Sequence, residues 1–188
     1  GELDEHRQET LEMLLDNGFD WIHVYLAIPI FGSRLYDICV ENGYIENTGN
    51  ENFVATKSVI RAPGIDPVKL EAFAYETQLR VNFVENYNMK IGRHDIALYY
   101  MKNVVDKYPD HAFGHLYVSQ CYAALGDREL ALEHAASAGS IFETDDWWKA
   151  LADRHGCDYP RIIDAVVNQR SMPPAAGLAG PRAEMVPA

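Results

Sequence analysis

Apolar positions in residues 3–17 recur at helical spacing. Leu11, Leu14 and Leu15 fall on one face, Asp4 and Glu5 suit the positive N-terminal end, and Gly18 supplies a stop. The pattern then changes. Trp21-Ile22-His23-Val24-Tyr25-Leu26-Ala27-Ile28 is nearly continuously apolar, which predicts a strand covered on both faces, as in a parallel sheet. Pro29 has no N–H to give a ladder and ends it. Ser33 can cap a following helix that carries Leu35, Tyr36, Ile38 and Cys39 and stops near Asn42-Gly43. The first 45 residues therefore read helix, strand, loop, helix, a piece of an α/β layer architecture. One parallel strand cannot satisfy its own edges, and the chain offers no second convincing strand. Its neighbours are expected upstream of Gly1.

Residues 46–65 are rich in Asn, Gly, Thr and Ser and read as a linker, with a short strand at Ser58-Val59-Ile60 as its one ordered element. Asp66-Pro67 is an N-cap followed by a first-turn proline, and Leu70, Phe73, Ala74, Thr77, Val81 and Val84 keep helical spacing to about Asn88. From Gly92 the chain is repetitive. GRHDIALYYMKNVVDKYPDH from Gly92 parallels GDRELALEHAASAGSIFETD from Gly126, so that Gly92 and Gly126, Ala97 and Ala131, and Leu98 and Leu132 are each 34 residues apart. A glycine ends one helix in a left-handed turn and a small alanine lets the next approach closely. That period, with Tyr122 four residues before Gly126 and Pro109 closing the first unit, resembles the tetratricopeptide repeat. The second unit departs from it at Glu143, where the family closes with proline, and at Ser119, where it has glycine. Leu116, Tyr117, Tyr122 and Leu125 are expected to face into the stack. Helices around Trp147–Ala152 and Ile162–Val167 read as a degenerate capping repeat. The domain is placed at 66–170. The last stretch, 171–188, is mostly Ala, Pro and Gly without aromatics and is expected to be disordered.

Composition narrows the function classes. The net charge of −12 repels a polyanion, which sets nucleic acid aside as a main partner. No apolar run approaches the ~20 residues a membrane helix needs. The start, GELDEHRQ, has no signal-peptide pattern and reads as a cut through something longer. Cys39, Cys121 and Cys157 show no metal-ribbon or redox spacing; an odd, scattered set suits a reducing cytoplasm and buried, inert thiols.

Gly1-Glu2, an acidic amphipathic helix and then DWIHVYLAIPIFGSRLYDICVENGYI resemble the closing part of the radical S-adenosylmethionine (SAM) barrel, most of all enzymes with an N-terminal cobalamin-binding domain. In that family a strand ends in a PGE-type turn, and after a helix another strand ends in a P-x-P-G-T-x-L-Y loop. Gly1 and Glu2 fall on the first motif. Pro29, Gly32, Ser33, Leu35 and Tyr36 fall on the second, with Ile30-Phe31 where the family often has Leu-Pro and Ser33 in place of its threonine. The likeness covers residues 1–45. Together with the 34-residue repeat, it implies a mostly α chain: a short α/β barrel remnant of helix, strand and helix, then the tetratricopeptide-like domain. It also implies that SAM and a [4Fe-4S] cluster serve the parent protein, with cobalamin a further candidate. The cluster needs cysteines spaced C-x3-C-x2-C, which Cys39, Cys121 and Cys157 cannot supply, so no cofactor is expected on this chain alone. The expected partner is the upstream barrel of the same parent chain. The alternative is an interaction module of helical repeats without catalysis.

Barrel strand ends line the cofactor pocket. The resemblance therefore implies Glu2, Ile28, Pro29, Gly32 and Ser33 as cofactor-rim residues, against the plainer readings of a solvated carboxylate at Glu2 and an ordinary strand-to-helix turn at Pro29–Ser33. His23, one histidine in an apolar run, reads as a hydrogen-bonded core residue. His111 and His115 have the spacing of a two-histidine zinc site, but Ala112 stands where a metalloprotease has glutamate and no third ligand is evident, so no metal site is assigned. Phe113 and Gln120 are placed on the concave face of the repeat, where such modules take peptides. Trp147, Trp148, Tyr99, Tyr100 and Tyr108 read as packing residues.

Overall fold

Helices account for most of the computed structural model, which describes residues 4–45 and 56–168. In chain order they are α1 (Asp4–Asp16), α2 (Arg34–Glu41), α3 (Pro67–Leu79), α4 (Tyr87–Lys90), α5 (His94–Lys107), α6 (Ala112–Leu125), α7 (Arg128–Thr144), α8 (Asp146–Arg154) and α9 (Tyr159–Val167). Packing divides the chain into two units, one of residues 1–21 with 80–188 and the other of residues 22–79. The expected tail, 171–188, lies outside the described residues, as do 46–55 of the expected linker.

In the larger unit, glycine turns make helical hairpins. Gly92, Gly126 and Gly156 all have positive φ, at 77°, 88° and 62°, and separate α4 from α5, α6 from α7, and α8 from α9. Only glycine adopts such a turn without a Cβ penalty. The positions 34 apart are buried alike: Ala97 and Ala131 are both 0 % exposed. Phe113, Phe142, Met101, Leu116 and Val118 are fully enclosed, and burying each such side chain contributes roughly 1.5–3 kcal/mol. Small residues on α7 do a different job. Ala131 and Ala135 pack with Val166 of α9, flanked by Tyr122, Ala123 and Ile163. Leu125, expected inside, is 50 % exposed; it is the last residue of α6, beside the Gly126 turn.

Aromatic rings link these helices. Tyr159 stacks on Phe142 with centroids 4.0 Å apart, Phe142 meets Phe113 edge-on at 5.6 Å, and Phe113 reaches Trp148 at 5.9 Å. His111 lies 4.8 Å from Trp148 and 5.0 Å from Phe83, and Phe83 meets Trp21 at 5.4 Å. Trp21 also stacks on Tyr100, with centroids 5.7 Å apart, so the residue expected to lead a strand is instead an anchor in this aromatic series. Trp147, read as packing, is 52 % exposed, whereas Trp148 is 7 % exposed.

The helix expected to run unbroken from Asp66 to Asn88 does not. Asp66 caps its start, with Oδ1 accepting from the Val68 and Lys69 N–H groups at 3.1 and 3.3 Å. After Leu79 the chain widens into a π-turn, Arg80–Val84, in which the Glu85 N–H reaches back to the Arg80 carbonyl at 2.8 Å. Asn86 then accepts from the Met89 N–H at 3.0 Å and donates to the Asn82 carbonyl at 3.0 Å, starting α4 afresh. The Asn86 side chain competes for the backbone ladder while Arg80 pairs with Glu85 beside it, and the apolar rhythm carries no sign of either.

Residues 22–79 differ most from expectation. No segment among the described residues is a strand, at 21–28 or at 58–60. The first run is irregular chain between α1 and α2, so the expected helix–strand–helix is helix, irregular chain, helix. Burial along it is one-sided. Ile22 and Leu26 are each 8 % exposed while Tyr25 is 62 % exposed. A strand exists only through a partner's hydrogen bonds, and β-prone residues cannot provide that alone. The turn beyond it is held by Ser33 N–H to Ile30 O at 2.9 Å, and α2 is capped by the Ser33 hydroxyl, which accepts from the Tyr36 N–H at 3.2 Å. Elsewhere in this unit, Arg61 N–H donates to Tyr44 O at 2.7 Å. Glu71 of α3 accepts from the Lys57 ammonium and the Ser58 N–H, both at 2.9 Å. These bonds, Lys57 first, draw its pKa below the ordinary carboxylate value.

Candidate functional site

Four of the five residues read as a cofactor rim lie on the turn that precedes α2. Ile28 is half-buried, Pro29 buried, Gly32 exposed and Ser33 half-buried. Glu2 lies outside the described residues. Gly32 has φ 80°, and a Cβ there would meet nothing within 4 Å. Its glycine serves the backbone conformation, not a close approach by another part of the chain. The Ser33 hydroxyl is occupied as an acceptor by the α2 cap. The turn can therefore present backbone and the apolar side chains of Ile30 and Phe31, which are 62 % and 69 % exposed. His23 is not the core residue it was expected to be: it is exposed and stacks on Tyr25 with centroids 5.6 Å apart.

The residues assigned to a peptide groove are interior. Phe113 is 0 % and Gln120 6 % exposed. A side chain without exposed surface offers a partner nothing to touch, so a groove on the repeat cannot be built on this pair. The likeness to such modules put Phe113 on a concave face, but Phe142 of α7 and Trp148 of α8 pack against it.

The two histidines with zinc-like spacing do not converge. His111 precedes α6 and turns into the aromatic series, where its Nδ1 accepts from the Gly114 N–H at 2.9 Å. Burial pushes its pKa down to about 4, so it is neutral at physiological pH. His115 points elsewhere. Its Nδ1 lies 2.9 Å from Nδ1 of His134 on α7, and its Nε2 lies 3.0 Å from the Pro109 carbonyl. His134 stacks on Tyr122, with centroids 5.6 Å apart. Sequence reasoning missed His134. The only signal for it was antiparallel pairing across Gly126, since a 19-residue separation has no local meaning.

The donor set does not fit an iron–sulfur cluster. Cys39, Cys121 and Cys157 are free and buried on different elements. Burial raises the Cys121 and Cys157 thiols to about 12 and 11, and raises Cys39 as well, whereas cluster ligation needs thiolates that can reach one metal centre. Cys121 lies against Met89, Sγ to Sδ 3.2 Å, and Cys157 lies 3.7 Å from the Tyr117 hydroxyl. Among the described residues no group of three His, Cys, Asp or Glu side chains could hold a metal ion, and no helix is long and apolar enough to cross a membrane. Compared with protein-family models, curated proteins and solved structures, the chain matches none.

Proposed function

We propose that this chain is the closing part of a radical SAM enzyme, and that the three-cysteine loop and most of the cofactor pocket belong to a barrel domain elsewhere in the same protein. The supporting observation is the stretch 20–36. It is a one-sidedly buried apolar run that is neither helix nor strand, followed by Pro29, a turn with Gly32 at positive φ and a helix capped by Ser33. That order of parts is what a barrel strand and its rim loop would leave on a polypeptide that does not itself contain the neighbouring strands. In this reading Ile28, Pro29, Gly32 and Ser33 form part of the rim and Glu2 another part, and the helical domain covers the barrel. Reductive cleavage of SAM is then an activity of the whole protein, and cobalamin is a further cofactor candidate. The encoding gene should carry an in-frame C-x3-C-x2-C run upstream. The full protein, loaded with iron and sulfide without oxygen, should form 5′-deoxyadenosine from SAM. A gene lacking the cysteine run ends the reading.

A second reading rests on the hairpins. Gly92 and Gly126 turn alike and Ala97 and Ala131 are equally buried, which favours a tetratricopeptide-like interaction module. If it holds, a random-peptide selection on the intact chain enriches one motif; no enrichment removes it. Both readings can hold for one protein.

A further inference from the structure

We propose that His115 and His134 form a proton-operated latch between α6 and α7, closed while the pair carries at most one positive charge and released when both imidazoles are charged.

The hydrogen-bond partners fix the tautomers. The Pro109 carbonyl only accepts, so Nε2 of His115, 3.0 Å away, carries the hydrogen. Neutral His115 therefore presents a lone pair at Nδ1. Nδ1 of His134, 2.9 Å from it, must be the donor. That leaves Nε2 of His134 as the free acceptor of the pair.

At 2.9 Å the two nitrogens are at N–H···N hydrogen-bond distance, and among the described residues no third His, Cys, Asp or Glu side chain joins them to hold a metal ion. With centroids 5.0 Å apart and ring planes inclined by 34°, the imidazoles meet end to end. A proton is the species that spans this gap.

These tautomers set the order of protonation. The first proton from solvent adds to Nε2 of His134. It leaves the Nδ1–H···Nδ1 bond in place and makes it charge-assisted. The second has only Nδ1 of His115 to occupy, which sets N–H against N–H. The pair thus titrates as a unit. Lys102 and Asp106 of α5, which are paired with each other at 2.9 Å, and Glu133 of α7 act on His134, and the Tyr122 ring of α6 lies against it. His115 also acts on His111, beside Asp110. Partial burial is the first cause that holds His134 below the ordinary histidine value.

Long-range proton–nitrogen NMR of the intact chain tests the latch. At pH 8, His134 is expected as the Nδ1–H tautomer, which is the minor form of free histidine, and His115 as Nε2–H. On acidification the pair should take up its protons in two steps at least tenfold apart in affinity. Amide exchange in α7, corrected for intrinsic rates, should rise at the second step. In His115→Gln, His134 should titrate in one step. The wild-type tautomers need no variant, so a poorly folding H115Q does not weaken the test. His134 found as Nε2–H, identical His134 titrations in the two chains, or no change of α7 exchange at the second step would each overturn the proposal.

Discussion

Two glycines on adjacent helices predict opposite responses to the same substitution. A Cβ added at Gly114 of α6 would sit 2.7 Å from Cγ1 of Val105 on α5 and 3.2 Å from Nδ1 of His111. Val105 is itself 6 % exposed and has nowhere to retreat. At Gly139 of α7 the nearest atom would be Cδ1 of Ile163 at 3.7 Å, an ordinary contact. Gly114→Ala should therefore destabilise by ~1–3 kcal/mol through overpacking, while Gly139→Ala should stabilise by up to ~1 kcal/mol through helix propensity. Urea denaturation of the two variants beside the wild type measures both signs. If Gly114→Ala also stabilises, the close approach of α5 and α6 is wrong. Neither role was legible in sequence. The periodicity singled out Gly92 and Gly126 as turns, but Gly114 serves a contact between helices, and contacts of that kind leave no local mark.

Element boundaries were legible wherever a side chain acts on its own neighbourhood. Ser33, Asp66 and Gly126 cap where their types suggest, because capping is a matter of three or four residues. The long helix to Asn88 was misread because the apolar rhythm does not record side-chain bonds three to five residues long, from Asn86 to Asn82 and Met89 and from Arg80 to Glu85; the strand at 21–28 was misread because it depended on a ladder partner out of local range. The histidine pair was missed the same way, since the i,i+4 spacing drew attention to His111 while the partner stood on the next helix. Elements can also depend on one distant residue. Arg128, at the start of α7, donates through its guanidinium to the carbonyls of Val166 and Val167, which end α9. Those carbonyls have no partner within their own helix, and a cation there also suits the helix dipole. Arg128→Ala should lower stability by ~1–2 kcal/mol and speed amide exchange at the C-terminal end of α9 before that of α7. Arg128→Lys should recover only part of the loss, because a point charge cannot fork between two carbonyls. Uniform exchange along α9 in Arg128→Ala would count against this role.

At the scale of the folded chain, acid stability has a named contributor. The His111 pKa, about 4 in the fold, lies below the ordinary ~6.5. The unfolded chain therefore binds a proton first as pH falls. The neutral, buried imidazole contributes stability that is complete above pH ~6.5 and lost progressively toward pH ~4. By pH 4.5 the loss should reach about 2–3 kcal/mol. Protonation of carboxylates also reduces a net charge of −12 over the same range, so the wild-type curve alone mixes opposing effects. His111→Asn isolates the histidine, since Asn can still accept from the Gly114 N–H. Its denaturation free energy should fall about 2 kcal/mol less between pH 7 and 4.5 than that of the wild type. Equal losses in both chains would remove His111 as a contributor.

The three enclosed thiols are split between the two units. Cys39 belongs to the unit of residues 22–79, and Cys121 and Cys157 to the other. A maleimide or iodoacetamide label has no surface sulfur to attack among them and waits for an opening to expose one. The native chain thus carries its own clocks, one in the smaller unit and two in the larger. The order in which they are alkylated reads out which part of the molecule breathes first.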